Sequence, residues 1–192
     1  MGEIFQDLLT MKLKIMLATL ILLSISSTTF ACNPSEWKII LKNGTTESIE
    51  NFIKSKNCDT NQELDSLSKT PLVYAIEGKN KDAMIAIINA GGDVNYDGYD
   101  GKTPLYYAIN SNQIESVKYL ISHGANTNSY TRTSEITLLM FSILKSTPTI
   151  TSYLISHGAS LDEQDKYGQK PIDYVKKLPL TQRVPMYRAL RK

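Results

Sequence analysis

Thr103-Pro104-Leu105-Tyr106-Tyr107-Ala108 is one copy of a motif that recurs along this 192-residue chain and predicts its fold. The same motif, Thr-Pro-Leu-x-x-Ala, begins at Thr70, and degraded copies begin at Thr137 and Lys170. Successive copies are therefore 33, 34 and 33 residues apart. A fixed period of this length predicts an all-α repeat solenoid, in which each unit buries its apolar face against its neighbours.

Each copy of the motif predicts the start of a helix pair. The Thr103 hydroxyl can cap the first helix, and Pro104 suits a first helical position because its missing N–H would be unpaired there. This helix is expected to run to about Asn110. A second helix is expected over 114–122 and to end before Gly124. Its apolar residues recur at helical spacing: Ile114, Val117, Leu120 and Ile121.

The period, the motif and the segments that close each unit together resemble the ankyrin repeat family. The resemblance covers about 35–192, and the closing segments lie at 91–95, 124–128 and 158–162. It implies an L-shaped unit, made of two antiparallel helices followed by a projecting β-hairpin finger. Two fingers, 61–69 and 128–136, contain no glycine and are expected to be irregular. The histidine that the family often carries after Thr-Pro-Leu is replaced here by Val73, Tyr106, Met140 and Asp173.

About four ankyrin-like units and a C-terminal cap are predicted within 32–192. The units are expected at about 33–66, 67–99, 100–133 and 134–167, and the cap at 168–192. Pro171–Lys177 and Thr181–Leu190 should form the two cap helices, because Leu178-Pro179 interrupts the pattern. The outer faces of both terminal units should be polar, since no further unit covers them. Arg183 and Arg188 fit that expectation at the C-terminal end.

Residues 1–31 are predicted to be a secretory signal peptide. Lys12 and Lys14 precede an apolar run over 15–23, and Thr29 and Ala31 are small residues before a cut after Ala31. The alternative, an uncleaved membrane anchor, is less favoured because a span needs about 20 apolar residues. The mature protein is therefore expected in the periplasm or secreted, with no membrane span after cleavage.

Three features of the N-terminal region leave alternatives open. Glu3 and Asp7 are unusual in a signal peptide, so Met11 is an alternative start. Lipidation of Cys32 is less favoured than simple cleavage, since Thr29 stands where an aliphatic residue usually precedes a lipidated cysteine. In an oxidising compartment Cys32 and Cys58 are expected to form a disulfide, and the alternative is two unrelated thiols.

Charge and motif content favour a non-enzymatic protein. The formal net charge is +2, from 21 basic and 19 acidic residues, which argues against a nucleic-acid partner. No nucleophile elbow, phosphate loop or metalloprotease motif is present, so no catalytic residue, cofactor or metal site is expected. His123 and His157 are interpreted as helix-end residues. The alternative, a two-histidine metal site, lacks a third ligand at a diagnostic spacing.

The tyrosines divide into two groups. Four aromatic residues recur at one position of the unit and are expected to form an internal ladder: Tyr74, Tyr107, Phe141 and Tyr174. Four tyrosines fall on the fingers, where they either bind a partner or pack against the next finger: Tyr96, Tyr99, Tyr130 and Tyr167.

The family resemblance implies that a partner protein binds the concave face, built from fingers and first helices. The matching residues are Glu77, Tyr99, Asp100, Lys102, Asn110, Ser111, Lys145, Lys166, Tyr167 and Gln169. We therefore expect an exported, monomeric protein–protein interaction module that acts as an inhibitor or immunity protein. The alternatives are an accessory factor in periplasmic stress or redox protection, and a secreted effector acting on host proteins.

Overall fold

The computed structural model of the chain describes residues 32–145 and 147–191. The predicted signal peptide and the alternative start at Met11 lie outside these residues. Ten α-helices occur in the described part and follow one another as helix pairs. They are α1 Pro34–Asn43, α2 Thr46–Lys56, α3 Pro71–Glu77, α4 Lys81–Asn89, α5 Pro104–Asn110, α6 Ile114–Ser122, α7 Leu138–Leu144, α8 Pro148–Ser156, α9 Pro171–Lys177 and α10 Leu180–Ala189. The predicted all-α repeat fold is confirmed.

The motif sets the start of the first helices as expected. The backbone N–H of Tyr106 donates to the Thr103 hydroxyl oxygen at 3.4 Å, and that of Met140 donates to Thr137 at 3.3 Å. Thr70 is the exception, since its side chain makes no capping hydrogen bond. Proline stands at the start of α3, α5 and α9, where its fixed φ suits the first turn.

Glycine ends the second helices at a conformation that other residues adopt at a cost. Gly91, Gly124 and Gly158 have φ of 92°, 88° and 91°, in the left-handed region. The N–H of the residue after each glycine returns to a carbonyl of the helix, as Ala125 does to Leu120 at 3.0 Å. The chain is thereby turned from each second helix into the closing segment.

A continuous apolar core runs through the stacked units. Leu72 and Leu105 occupy the third position of the motif and are 1% and 0% exposed, which shows that each is covered by the next unit. The second helices contribute Met84, Val117 and Leu154 to the same core. A separate, smaller cluster joins the last full unit to the cap: Met140, Ile143, Tyr174, Val175, Leu178, Met186 and Ala189.

Asparagines couple the closing segments of adjacent units. The Asn95 amide donates to the carbonyl of Gly124 at 2.9 Å, and its oxygen accepts from the N–H of Asn126 at 2.8 Å. Asn61 and Asn128 make the same pair of contacts with the segments that follow them. Each asparagine therefore satisfies one backbone acceptor and one backbone donor of the next unit.

The fingers contain turns rather than paired strands. In the described residues no strand is formed, and the finger before α5 contains a short 3-10 helix, Tyr99–Gly101. The finger over 128–136 has one isolated antiparallel bridge, between Tyr130 and Thr137. The predicted hairpin pairing is therefore not confirmed. The expected irregularity of 128–136 is present, with Glu135 at a φ of 55°.

The two cysteines lie close together in the first unit. The Cys32 and Cys58 sulfur atoms are at bonding distance, and their Cα atoms are 5.3 Å apart, within the usual range for a disulfide. This geometry is compatible with the predicted bridge, which remains a prediction until the thiols are counted.

The C-terminal outer face differs from the polar surface that the sequence suggested. Leu180 and Val184 are 76% and 56% exposed, so that expectation is wrong for this end. The reason is the orientation of α10, which turns Met186 and Ala189 into the small core. At helical spacing this leaves Leu180 and Val184 on the other side of the helix.

Candidate protein-binding face

The ten predicted binding residues lie on the fingers and at the ends of the first helices. We call this region the binding face and include in it the exposed sides of α1, α3, α5, α7 and α9. Tyr99 and Tyr167, on two different fingers, are 57% and 75% exposed. Glu77 and Asn110 are the last residues of α3 and α5, and Lys145 follows α7 directly. All three are exposed.

Hydrogen bonds bring the predicted finger residues together through a residue that was not predicted. The Asp100 carboxylate accepts from the Thr133 N–H at 2.8 Å and from its hydroxyl at 2.5 Å. The Lys166 ammonium in turn donates to the Thr133 carbonyl at 2.8 Å. Within 32–145 and 147–191, the side chains of Asn110, Ser111 and Lys145 make no such contact with the other seven.

The Asp100 carboxylate is therefore already hydrogen-bonded within the chain. The hydrogen bond from the Thr133 hydroxyl is the main reason that its pKa lies below the ordinary value. The backbone N–H of Arg132 also donates to the backbone carbonyl oxygen of Asp100 at 3.1 Å. The Arg132 guanidinium forms an ion pair with Asp97. Gly101 allows this close approach, because a Cβ there would lie 2.7 Å from the Tyr130 carbonyl oxygen. Asp100 thus aligns two fingers, whatever it contributes to a partner.

The aromatic ladder is partly internal and partly exposed. Tyr107 and Tyr174 are buried, at 8% and 4% exposure, whereas Tyr74 and Phe141 are only partly buried. Phe141 stacks on Tyr106, with ring centres 4.4 Å apart and planes 17° apart. Tyr106 stands at the position where the family often has histidine. That replacement is the feature of the sequence from which the stacking on Phe141 could have been predicted.

Two tyrosines of the ladder are held by aspartates that the sequence analysis missed. The Tyr74 hydroxyl donates to Asp65 at 2.9 Å, and the Tyr174 hydroxyl donates to Asp165 at 2.5 Å. Burial raises the pKa of each aspartate, but hydrogen bonds from the tyrosine and the backbone outweigh it and lower the pKa overall. Both aspartates stand five residues before a motif start, at Thr70 and Lys170, and this shared position was the available signal.

Lysine ammonium groups lie over the tyrosine rings of the binding face. This cation–π geometry favours the charged lysine, because the ring face carries partial negative charge. The distances from ammonium nitrogen to ring centre are 5.1 Å for Lys38 over Tyr74, 5.5 Å for Lys69 over Tyr107, 5.6 Å for Lys102 over Tyr99, 5.3 Å for Lys166 over Tyr167 and 4.4 Å for Lys177 over Tyr174. Lysine rather than carboxylate therefore dominates the aromatic part of this face.

The remaining finger tyrosines, Tyr96 and Tyr130, differ from Tyr99 and Tyr167. The Tyr96 hydroxyl donates to Glu63 at 2.6 Å, and this hydrogen bond raises the pKa of Tyr96 to about 12. Tyr130 is 54% exposed and borders a cleft with Asn95 and Asn128. Tyr96 packs within the chain, while Tyr99 and Tyr167 remain available on the binding face.

The two histidines occupy helix ends, as interpreted from the sequence. His123 Nδ1 lies 2.8 Å from the Tyr119 carbonyl oxygen, and His157 Nδ1 lies 2.8 Å from that of Tyr153. Each imidazole also stacks on the ring of the same tyrosine, with centres 4.1 Å and 4.0 Å apart. Among the residues described, no group of three histidine, cysteine or acidic side chains could hold a metal ion.

The chain was compared with models of known protein families and with curated proteins. A family model described as ankyrin repeats (3 copies) matches residues 38–131. No curated protein matches the chain. In the part of the chain described, no helix is both long and apolar enough to cross a membrane.

Proposed function

This chain belongs to the ankyrin repeat family, and we propose that it is a non-enzymatic, exported module that binds a partner protein. Ankyrin repeats are generally protein–protein interaction modules, and they are typically non-catalytic. The binding face corresponds to the concave face of such arrays. We further propose that the protein is a monomer and that it inhibits its partner, as an immunity protein would.

The observation that carries the proposal is the exposure of Tyr99 and Tyr167 on fingers that are fixed by hydrogen bonds. Asp65 and Asp165 brace two fingers, and Asp100 and Thr133 join two others. A rigid aromatic side chain loses little entropy when a partner covers it, so exposed tyrosines on fixed loops suit a binding hot spot.

The test is capture of the partner from the periplasm of the native cell with the tagged full chain, followed by mass spectrometry. We expect one stoichiometric partner, and we expect Tyr99→Ala with Tyr167→Ala to weaken its binding by about tenfold or more. Tyr130→Ala is the matched control, because Tyr130 has similar exposure but borders the asparagine-lined cleft. Equal loss in both variants, or in neither, would place the binding site elsewhere.

The identity and location of the partner test the finer proposals. An enzyme or toxin that loses activity when bound would support inhibition, whereas a redox or stress enzyme that stays active would support an accessory role. Export is supported by Lys12, Lys14 and the apolar run over 15–23. Mass spectrometry of the protein from fractionated cells should find Cys32 at its N-terminus, and recovery of intact 1–31 from the cytoplasm would contradict export.

A further inference from the structure

Four lysines of the binding face combine a tyrosine ring beneath them with the lack of a carboxylate partner. Lys38, Lys102, Lys166 and Lys177 each lie over a tyrosine ring. Within residues 32–145 and 147–191, none of them forms an ion pair. Lys69 is the contrast, because its ammonium lies 3.0 Å from the Glu77 carboxylate. Lys166 and Lys177 each donate one hydrogen bond within the chain, to the Thr133 carbonyl and to the Gln169 side chain. An ammonium group has three donors, so all four keep donors for an external acceptor.

The rings Tyr74, Tyr107, Tyr106 and Phe141 are linked across neighbouring units by ring contacts and by Lys69, which lies near two of them. Lys38 lies over Tyr74, and Lys69 lies 6.0 Å from Tyr74 and 5.5 Å from Tyr107. The Tyr107 ring contacts Tyr106 edge to face at 5.5 Å. Tyr106 then stacks on Phe141 and also lies under Lys102, at 5.7 Å. Lys38, Lys69 and Lys102, from separate units, therefore lie along one row, and Lys166 over Tyr167 and Lys177 over Tyr174 repeat the same pairing near the C-terminal end of the stack.

Several carboxylates of this face are already engaged inside the chain, including Asp100 and Asp165, which act electrostatically on Lys102 and Lys177. Asp65 and Asp165 accept from tyrosine hydroxyls, and Asp100 accepts from Thr133. Glu77 is paired with Lys69. Within the described residues, Glu135 and Glu163 are the finger carboxylates whose side chains form no ion pair or hydrogen bond, and both are exposed. The ring-supported ammonium groups therefore outnumber the free carboxylates of the fingers, although the whole chain is nearly neutral at +2.

The geometry favours carboxylates over the phosphates and bases of a nucleic acid. A single-stranded nucleic acid needs open ring faces on which its bases can stack. Here each of the rings Tyr74, Tyr99, Tyr167 and Tyr174 has a lysine over it. The covered rings, rather than the lysines, make this distinction, because a lysine ammonium group binds carboxylate and phosphate alike.

We propose that the ring-supported lysines of this face, Lys38, Lys102, Lys166 and Lys177, recognise a carboxylate-rich segment of a partner protein. The proposal rests on the proposed function, since it names the chemistry of the partner that the same face binds. A lysine that already lies on a ring has less conformational freedom to lose, so its contact with a carboxylate is preorganised. Charge complementarity would also speed the encounter with the correct partner.

The probe is fluorescein-labelled poly-L-glutamate, added to the full chain and followed by fluorescence anisotropy. The test variant is Lys38→Gln with Lys102→Gln and Lys177→Gln. Its matched control is Lys54→Gln with Lys81→Gln and Lys118→Gln, which removes the same charge from exposed positions on the second helices α2, α4 and α6. We expect affinity to fall about tenfold in the test variant and less than about twofold in the control, and added salt to weaken binding further.

Four results would overturn the proposal. They are no binding of poly-L-glutamate, equal loss in the two triple variants, no loss in the test variant, and tighter binding of single-stranded DNA of matched charge. Circular dichroism melting of each variant shows whether a loss reflects unfolding. Little change is expected, because the substituted lysines are exposed apart from Lys102, which is half-buried. If poly-L-glutamate fails while the captured partner still depends on Tyr99 and Tyr167, the proposed function stands and only the acidic chemistry is wrong.

Discussion

The first unit and the C-terminal cap both end the stack, but they are held in different ways. In the first unit Trp37 is fully buried and meets the edge of Phe52, with ring centres 5.2 Å apart. Both rings belong to the main core, and the two cysteines lie beside them. The cap instead closes on the small cluster around Met186, and Leu180 on its last helix remains exposed.

The two ends show different ways in which a solenoid offsets the stacking interface that a terminal unit lacks. An internal unit packs against two others, whereas a terminal unit packs against one and loses about half of its stacking interface. The first unit offsets that loss with a large aromatic residue and a predicted crosslink. The cap has a buried tyrosine, Tyr174, but no crosslink and only a small core cluster. We therefore expect it to open before the rest of the molecule, as local unfolding equilibria in repeat proteins allow.

The largest effect is expected for Trp37→Ala. Removal of a fully buried indole should lower the free energy of unfolding by about 4 kcal/mol, because lost transfer energy and a residual cavity add. Urea denaturation followed by circular dichroism measures the change. Trp37→Phe is the control, since it keeps a ring against Phe52 and should cost much less. A loss below about 1 kcal/mol for the alanine variant would mean that the first unit does not depend on this residue.

Reduction of the predicted Cys32–Cys58 bridge should come next. A bridge over 26 residues stabilises by roughly 3 kcal/mol on a chain-entropy model, if it is unstrained. Urea denaturation with and without reductant should show this difference, and Cys58→Ser should behave like the reduced protein in both conditions. Two free thiols in the native, unreduced protein would show that the bridge is absent and that a crosslink does not distinguish the first unit from the cap.

Met186→Ala should cost about 2.5 kcal/mol, with the loss confined to the cap. Met186 is fully buried, but its cluster involves only α7, α9 and α10. Hydrogen exchange should therefore show faster exchange over 171–191 and little change over 34–56. Exchange that rises equally at both ends would indicate that the molecule opens as one unit, and the cap would not be the weaker end.

The smallest effect is expected on the loss of stability at acid pH, and it follows from the lowered pKa of Asp165. A carboxylate whose folded pKa lies below its unfolded value of about 3.9 stabilises the fold above that value and loses its contribution as pH falls through the folded pKa. Hydrogen bonds from Tyr174, Gln169 and Tyr167 outweigh burial and cause the shift. Thermal melts between pH 6 and pH 2 should show a steeper acid loss for the unchanged protein than for Asp165→Asn. Identical pH profiles would show that Asp165 does not bind the proton more weakly in the fold.

The repeat period was sufficient to predict the helices. The second helix expected over 114–122 is α6, Ile114–Ser122, and the glycine expected to end it has positive φ. Both predictions depend on local chemistry, namely capping, periodicity and the freedom of glycine. The last cap helix begins at Leu180, one residue before the expected start, because helix ends are poorly specified by sequence.

The candidate site was less predictable, because its main contacts join different units. The stacking of Tyr106 on Phe141 and the position of Lys38 over Tyr74 depend on how neighbouring first helices pack. The spacing of Asp65 and Asp165 repeats only at the two outer fingers, and Gly98 and Arg132 stand at the matching positions between them. A pattern with such a gap is hard to separate from chance in one sequence.

The asparagine contacts form the same joint between adjacent units at three places, each made of one donated and one accepted hydrogen bond. Asn61, Asn95 and Asn128 each recognise only a carbonyl and an N–H of the following segment, so the joint is indifferent to the side chains it meets. A duplicated copy of an internal unit should therefore fit between existing ones. At the corresponding place after α8 stands Asp162, whose carboxylate pairs with Lys170 and has no amide donor. Lengthening the array by design should succeed in its interior and fail beyond Asp162, unless asparagine is restored there.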